Sequence, residues 1–241
     1  MKSVWQTREL AATYLNGVRG AIPAADLQLA ILEKIVRLWC EAPANILDLG
    51  CGDGILGRLL LDIFPQARGV FVDFSDPMLE AARAKLAEDR MAIIIKVDYG
   101  EPDWVEHVRK FQPFDLVVSG FSIHHQPHER KKTLYAQLFG LLATGGVFLD
   151  LEHVASRNLA GKRLFDEFFI DHLYAYHSQS DPGVARKATA ADFYARPDKK
   201  ENILALVDEQ CRWLEEIGFS DVDCFFKVFE LALFGGRKTT R

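Results

Sequence analysis

From Asn45 onward, short unbroken apolar runs alternate with stretches in which apolar residues recur every third or fourth position. The runs are ILDLG, GVFVDF, AIIIKVD, FDLVVSG and GVFLDL. Between them lie stripes at helical spacing, such as Leu56, Leu59, Leu60 and Ile63, or Met78, Leu79, Ala82 and Leu86. Unbroken apolar strands alternating with amphipathic helices predict a parallel sheet covered on both faces. Asp76 followed by Pro77 predicts an N-cap and a first-turn proline for the second of these helices. Upstream, Leu27, Ile31, Ile35 and Leu38 form a stripe that stops at Pro43, which predicts a helix packed on the core.

The rhythm breaks after Leu151. Residues 155–200 are rich in aromatics, His, Asp and Arg and fit helices and loops better than strands. A helix from about Glu201 to Ile217 then stacks Leu204, Val207, Cys211 and Leu214 before Gly218. The runs VDCFFKVF and ELALFGG follow almost without a connection, which predicts a tight antiparallel pair. The expected fold is therefore α/β: a doubly wound, mostly parallel seven-stranded sheet with a closing antiparallel hairpin. Its expected segments are 1–42 (helical), 43–154 (core), 155–200 (insertion) and 201–241 (last helix and hairpin).

A chain of 241 residues, 49% of them apolar, suffices for one large core and a modest appendage. The formal charge of −5 disfavours a nucleic-acid partner, whose phosphates require clustered Lys and Arg. Cys40, Cys51, Cys211 and Cys224 lack CxxC spacing and are expected as reduced, mostly buried thiols. The N-terminal MKSVWQTREL is charged where a signal peptide would be apolar, and no run reaches the roughly 18 apolar residues of a span. A soluble, cytoplasmic protein with no membrane partner is expected.

ILDLGCGDGILGRLLL holds two overlapping signatures: Gly50, Gly52 and Gly54 spell GxGxG, and Gly52, Gly54 and Gly57 spell GxGxxG. In a dinucleotide site the first glycine directly follows the strand, whereas Gly52 already stands inside the turn. The register that begins the turn where the strand ends is Gly50-Cys51-Gly52-Asp53-Gly54. ILDLGCGDG followed by VFVDFSDPMLEAAR resembles the first two motifs of class I S-adenosylmethionine-dependent methyltransferases. FDLVVSGFSIHH, LLATGGVFL and FKVFELALFGGRK resemble that family's fourth strand, fifth strand and closing hairpin.

The resemblance implies a Rossmann-like methyltransferase fold with S-adenosylmethionine as cofactor and S-adenosylhomocysteine as product. It implies that Asp48 and the Gly50, Cys51 and Gly52 turn hold the methionine end, and that Asp73 accepts from the ribose hydroxyls. Asp98 would reach the adenine amine, with Tyr99, Phe74 and Met78 flanking the ring; turn formation by Asp98 and ordinary packing by Phe74 and Met78 remain open. Ser119 and Gly120 would lie near the transferable methyl. Tyr14 and Arg19 occupy the segment that similar small-molecule methyltransferases fold over the cofactor, so residues 1–42 would act as a lid.

Methyl transfer from a sulfonium demands orientation above all, and a base only when the acceptor loses a proton. His125 and His153 are the candidate catalytic residues, and His124, Tyr194 and Arg196 the candidate substrate contacts, with Arg186 a further cation. Asp150 and Glu152 alternate with His153 along their strand, and no metal is expected. SGFS replaces the Asn/Asp-Pro-Pro-Tyr-like stretch of the family's adenine and amide N-methyltransferases, so the expected partner is a small-molecule substrate, bound under the 155–200 insertion. A homodimer stays open. The closing IGFSDVDCFFKVFELALF also resembles the branch containing carboxy-S-adenosylmethionine synthase, which leaves cofactor modification, or cofactor binding without turnover, as alternatives.

Overall fold

The apolar runs become β1 (Asn45–Leu49), β2 (Arg68–Asp73), β3 (Ala92–Lys96), β4 (Phe114–Gly120) and β5 (Leu142–His153) of one sheet. Two further strands, β6 (Ser220–Val228) and β7 (Leu231–Arg237), complete it in the order β3-β2-β1-β4-β5-β7-β6. The structure is a computed structural model that describes residues 4–15 and 19–239. Strands β1 to β5 pair in parallel, and β7 runs antiparallel to both β5 and β6. The order reverses between β1 and β4, which opens a crevice at the carboxyl ends of the strands.

The helices are α1 (Arg8–Thr13), α2 (Ala25–Trp39), α3 (Ile55–Ile63), α4 (Asp76–Lys85), α5 (Val105–Val108), α6 (His128–Leu141), α7 (Leu159–Ser180), α8 (Arg186–Ala195) and α9 (Val207–Ile217). Side chains alternate across β1, so Ile46 joins the core under α2, α3, α4 and α7, while Leu47 and Leu49 join the core under α5, α6 and α9. Both faces being covered explains why the parallel strands read as unbroken apolar runs. Gly57 lets α3 lie close on the sheet: a Cβ there would enter the Phe71 ring. That packing role accounts for the third glycine of the GxGxxG coincidence.

Three local expectations are corrected. Helix α2 buries Gln28, Leu32 and Val36, while Leu27 and Leu38 are 53% and 76% exposed. Ile31 and Ile35 of the expected stripe do pack against the core, but its ends turn outward, because the buried line begins at Gln28, whose amide donates to Pro23 O at 2.8 Å. At α4 the N-cap is Ser75, and Asp76 is already helical with Pro77 behind it. Helix α9 begins at Val207, because residues 202–205 run extended: Ile203 N–H donates to His124 O and Ala155 N–H to Ala205 O, both at 2.8 Å. Among the described residues no helix is long and apolar enough to cross a membrane.

Candidate functional site

A cavity of about 410 Å³ opens at the carboxyl edge of the sheet. Asp48 and the glycine turn reach it from β1, Asp73 from β2, Asp98 and Tyr99 from just beyond β3, and Gly120 from β4. Gly50 has φ +65°, and a Cβ on it would overlap the Ser122 side chain, so only glycine fits this approach of two loops. Asp73 accepts from Gly52 N–H at 2.9 Å and from Ser75 N–H at 2.8 Å, fixing its carboxylate beside the turn. Burial pushes its pKa up, and those two donors oppose the shift.

Asp48 Oδ2 accepts from Gly57 N–H at 2.8 Å, so the acid also anchors the first turn of α3. Asp98 lines the cavity and its Oδ1 accepts from Gly100 N–H at 2.7 Å, so the side chain that faces the cavity also forms the turn. The Tyr99 hydroxyl and Ser122 Oγ lie 2.6 Å apart, and burial raises the phenol well above its ordinary range. Phe74, Met78 and Cys51 complete this wall; burial also raises the Cys51 thiol, which makes it a packing group. Among the described residues Asp48, Asp73, Asp98 and Glu201 line the cavity and no Lys or Arg does. Such a lining fits a cationic ligand and repels a pyrophosphate.

Ser119 is a correction: it is fully buried and its hydroxyl donates to Leu49 O at 2.8 Å, tying β4 to β1 instead of facing the cavity. Gly120, Phe121 and Ser122 face it instead. Tyr14 lies in the wall, whereas the side chain of Arg19 falls outside the described residues.

A second cavity, of about 440 Å³, adjoins the first and shares Trp5, Tyr14, Ile22 and Phe121 with it. Phe121 has φ +49°, a costly conformation for a bulky residue, and its N–H donates to Leu151 O at 2.7 Å. His124, His153, Tyr194 and Arg196 line this second chamber, while His125 lines the first. Arg186 lies at neither: it bridges Glu167 and Asp171, joining α8 to α7. Phe165 and Phe169 serve both as insertion core and as cavity wall.

Glu152 organises the histidines. Its Oε1 lies 2.6 Å from His124 Nδ1 and accepts from His153 N–H at 2.7 Å, while Oε2 accepts from His124 N–H at 2.8 Å. Burial holds the His124 imidazole neutral, far below its ordinary pKa, and lifts the Glu152 carboxyl to about 7. A neutral imidazole whose Nδ1–H points at a carboxylate presents Nε2 as a proton acceptor. His153 is committed elsewhere, with Nε2 3.0 Å from Glu230 Oε2, and its ring lies 5.7 Å from that of His124. The sequence reading did not single out Phe121, Trp5, Lys162 and Lys199 as parts of these chambers, and it grouped Glu152 with Asp150 and His153, not with His124. Only the strand-end position of Glu152 could have hinted at its role.

A doubly wound sheet closed by an antiparallel strand, with an acidic cavity over its switch point, defines the class I methyltransferase architecture. Residues 47–148 match the family described as a methyltransferase domain. The chain is 26% identical over 229 residues to a carboxy-S-adenosyl-L-methionine synthase of Chromohalobacter salexigens, covering 93% of this chain and 79% of that protein. It is 37% identical over 120 residues to a malonyl-[acyl-carrier protein] O-methyltransferase of Priestia megaterium, covering 47% of this chain and 41% of that one. Its fold matches human N-acetylserotonin methyltransferase, solved with S-adenosylmethionine, at a TM-score of 0.62 and 12% identity; the match covers 98% of this chain and 58% of the human one. Residues 47–148 thus match a methyltransferase domain, and the sheet around them has the fold of solved S-adenosylmethionine-dependent methyltransferases.

Proposed function

We propose that the protein transfers the methyl group of S-adenosylmethionine, held in the first cavity, to a small-molecule acceptor in the second. The observation that carries this reading is the shared wall of Trp5, Tyr14, Ile22 and Phe121, which makes the two chambers neighbours across the carboxyl edge of the sheet. Asp48 and the Gly50–Gly52 turn would hold the methionine end, Asp73 the ribose, and Asp98 the adenine between Phe74, Met78 and Tyr99. The bound cofactor supplies an activated methyl carbon. The chain contributes alignment, exclusion of water by the first forty-odd residues and the 155–200 insertion, and, for acceptors that lose a proton, the Nε2 lone pair of His124. His125, on the cofactor side, would position the cofactor and not act as base.

A second reading, modification of the cofactor, is supported by the likeness to a carboxy-S-adenosyl-L-methionine synthase along 93% of the chain. Native mass spectrometry of the purified protein, followed by denaturation and weighing of the released ligand, separates the two. S-adenosylmethionine or S-adenosylhomocysteine supports methyl transfer, and a heavier carboxylated relative favours the second reading. A protein that carries neither and fails to bind added S-adenosylhomocysteine would overturn both.

A further inference from the structure

We infer that the second cavity is built for a small acceptor bearing one negative charge on a flat apolar body, an aromatic carboxylate being the type, with the Lys199 ammonium receiving the charge. This rests on reading that cavity as the acceptor chamber. The walls carry three cations, Lys162, Arg196 and Lys199, and two carboxylates, Asp166 and Asp198. Both carboxylates are taken. Lys162 Nζ lies 3.1 and 3.2 Å from the two oxygens of Asp166, and Arg196 grips Asp198 with Nε at 3.1 Å and Nη2 at 2.5 Å.

Lys199 is left over. Its ammonium makes no hydrogen bond among the described residues, and its one ion-pair partner there is Asp166 Oδ1 at 3.9 Å, already shared with Lys162. It lies instead 3.1 Å from the centroid of the Phe193 ring and 5.1 Å from that of Tyr194. Aromatic faces attract a cation but do not neutralise it. Burial pushes the Lys199 ammonium down to about 8, with Lys162 and Arg196 adding to the shift and the already engaged Asp166 and Asp198 opposing it only in part. The other titratable groups on this wall, His124 and His153, are engaged with Glu152 and Glu230 and add no negative charge facing Lys199.

One spare cation suits one negative charge; a phosphate dianion would leave a charge unneutralised in a half-buried chamber. The Phe165, Phe169 and Phe193 rings supply a body-binding surface, and about 440 Å³ is the volume of a small-metabolite pocket. The Arg196–Asp198 pair, self-neutralised and mostly buried, shapes the wall without spending charge on the ligand.

The test is calorimetric titration of the protein, with and without S-adenosylhomocysteine, using three probes: 4-hydroxybenzoate, 4-hydroxybenzamide and phenyl phosphate. At pH 7 the carboxylate should bind roughly tenfold tighter than the amide, as one charge-assisted hydrogen bond allows. Lys199→Met should bring the two within about twofold, Lys199→Arg should keep the preference, and wild-type affinity for the carboxylate should fall above about pH 8. Equal binding of acid and amide, a preference that survives Lys199→Met, tighter binding of phenyl phosphate, or no binding of any probe at roughly 10 mM would each overturn the inference. Failure of S-adenosylhomocysteine to bind while the carboxylate preference persists would strike the methyl-transfer reading and leave the anion site standing.

Discussion

One carboxylate, that of Glu152 on β5, holds both the ring and the main chain of His124 in the loop after β4, at 2.6 and 2.8 Å. Replacing Glu152 by Gln leaves one acceptor and turns the other end into a donor facing two N–H groups. The imidazole should answer by switching tautomer, so that Nδ1 accepts and Nε2 carries the hydrogen. Nitrogen-15 NMR of the ring would show the switch directly. For an acceptor that must lose a proton, kcat should then fall by roughly 10²- to 10⁴-fold with cofactor affinity unchanged. Unaltered turnover with such an acceptor would remove the pair from the mechanism.

Asp73 spends one oxygen on Gly52 N–H and the other on Ser75 N–H, so it presents its remaining lone pairs in a fixed direction toward the first cavity. Asn at this position must turn its amide toward one of those donors. Affinity for S-adenosylhomocysteine should drop by roughly 2–3 kcal/mol, about 30- to 150-fold, the worth of hydrogen bonds to a charged acceptor. Calorimetry beside a thermal melt separates lost binding from lost folding. A variant that melts normally and binds as tightly as wild type would refute the ribose role.

The sheet was legible because strands buried on both faces must be apolar at every position, a pattern that survives without knowledge of neighbours. The glycine turn and the acids at strand ends were legible for a related reason: chemistry at the crevice depends on where each strand stops. What stayed hidden depended on partners far along the chain. Glu152 meets His124 across 28 residues, and Lys199 matters only because Asp166 already belongs to Lys162. Ser119 looked like a cavity residue at the strand end, but its hydroxyl faces inward to β1. The ends of the α2 stripe were misplaced because a buried glutamine, satisfied by Pro23 O, cannot be told from a surface one in sequence.

The buried line of α2 separates two leucines of the same helix. Leu32 is fully buried under the sheet, and Leu32→Ala should destabilise the protein by about 2–5 kcal/mol, the usual transfer and cavity cost. Leu38 is 76% exposed, and Leu38→Ala should change stability by no more than about 0.5 kcal/mol. Urea melts of the two variants measure both. Similar losses from both substitutions would return the helix to the stripe of Leu27, Ile31, Ile35 and Leu38.

His125 lines the first cavity, with Nδ1 3.4 Å from Glu201 O, and burial lowers its pKa from 6.5 to about 3. In the unfolded chain the same imidazole protonates near 6.5, so below that pH the unfolded state binds a proton the folded state refuses. Its contribution to stability is therefore complete above pH 6.5 and is lost as the pH falls toward 3, by about 2 kcal/mol between pH 6.5 and 5. Glu152 acts in the opposite sense: its carboxyl, lifted to about 7, takes up a proton in the folded state first and so adds stability as the pH falls from 7 toward 4.5. The wild-type profile is the sum of the two, which makes the difference between wild type and His125→Asn the informative quantity. Urea melts at pH 7 and pH 5 should show the variant losing about 2 kcal/mol less than wild type on acidification. Parallel profiles would mean that the folded protein lets His125 protonate, and with it that the ring faces solvent instead of the cofactor chamber.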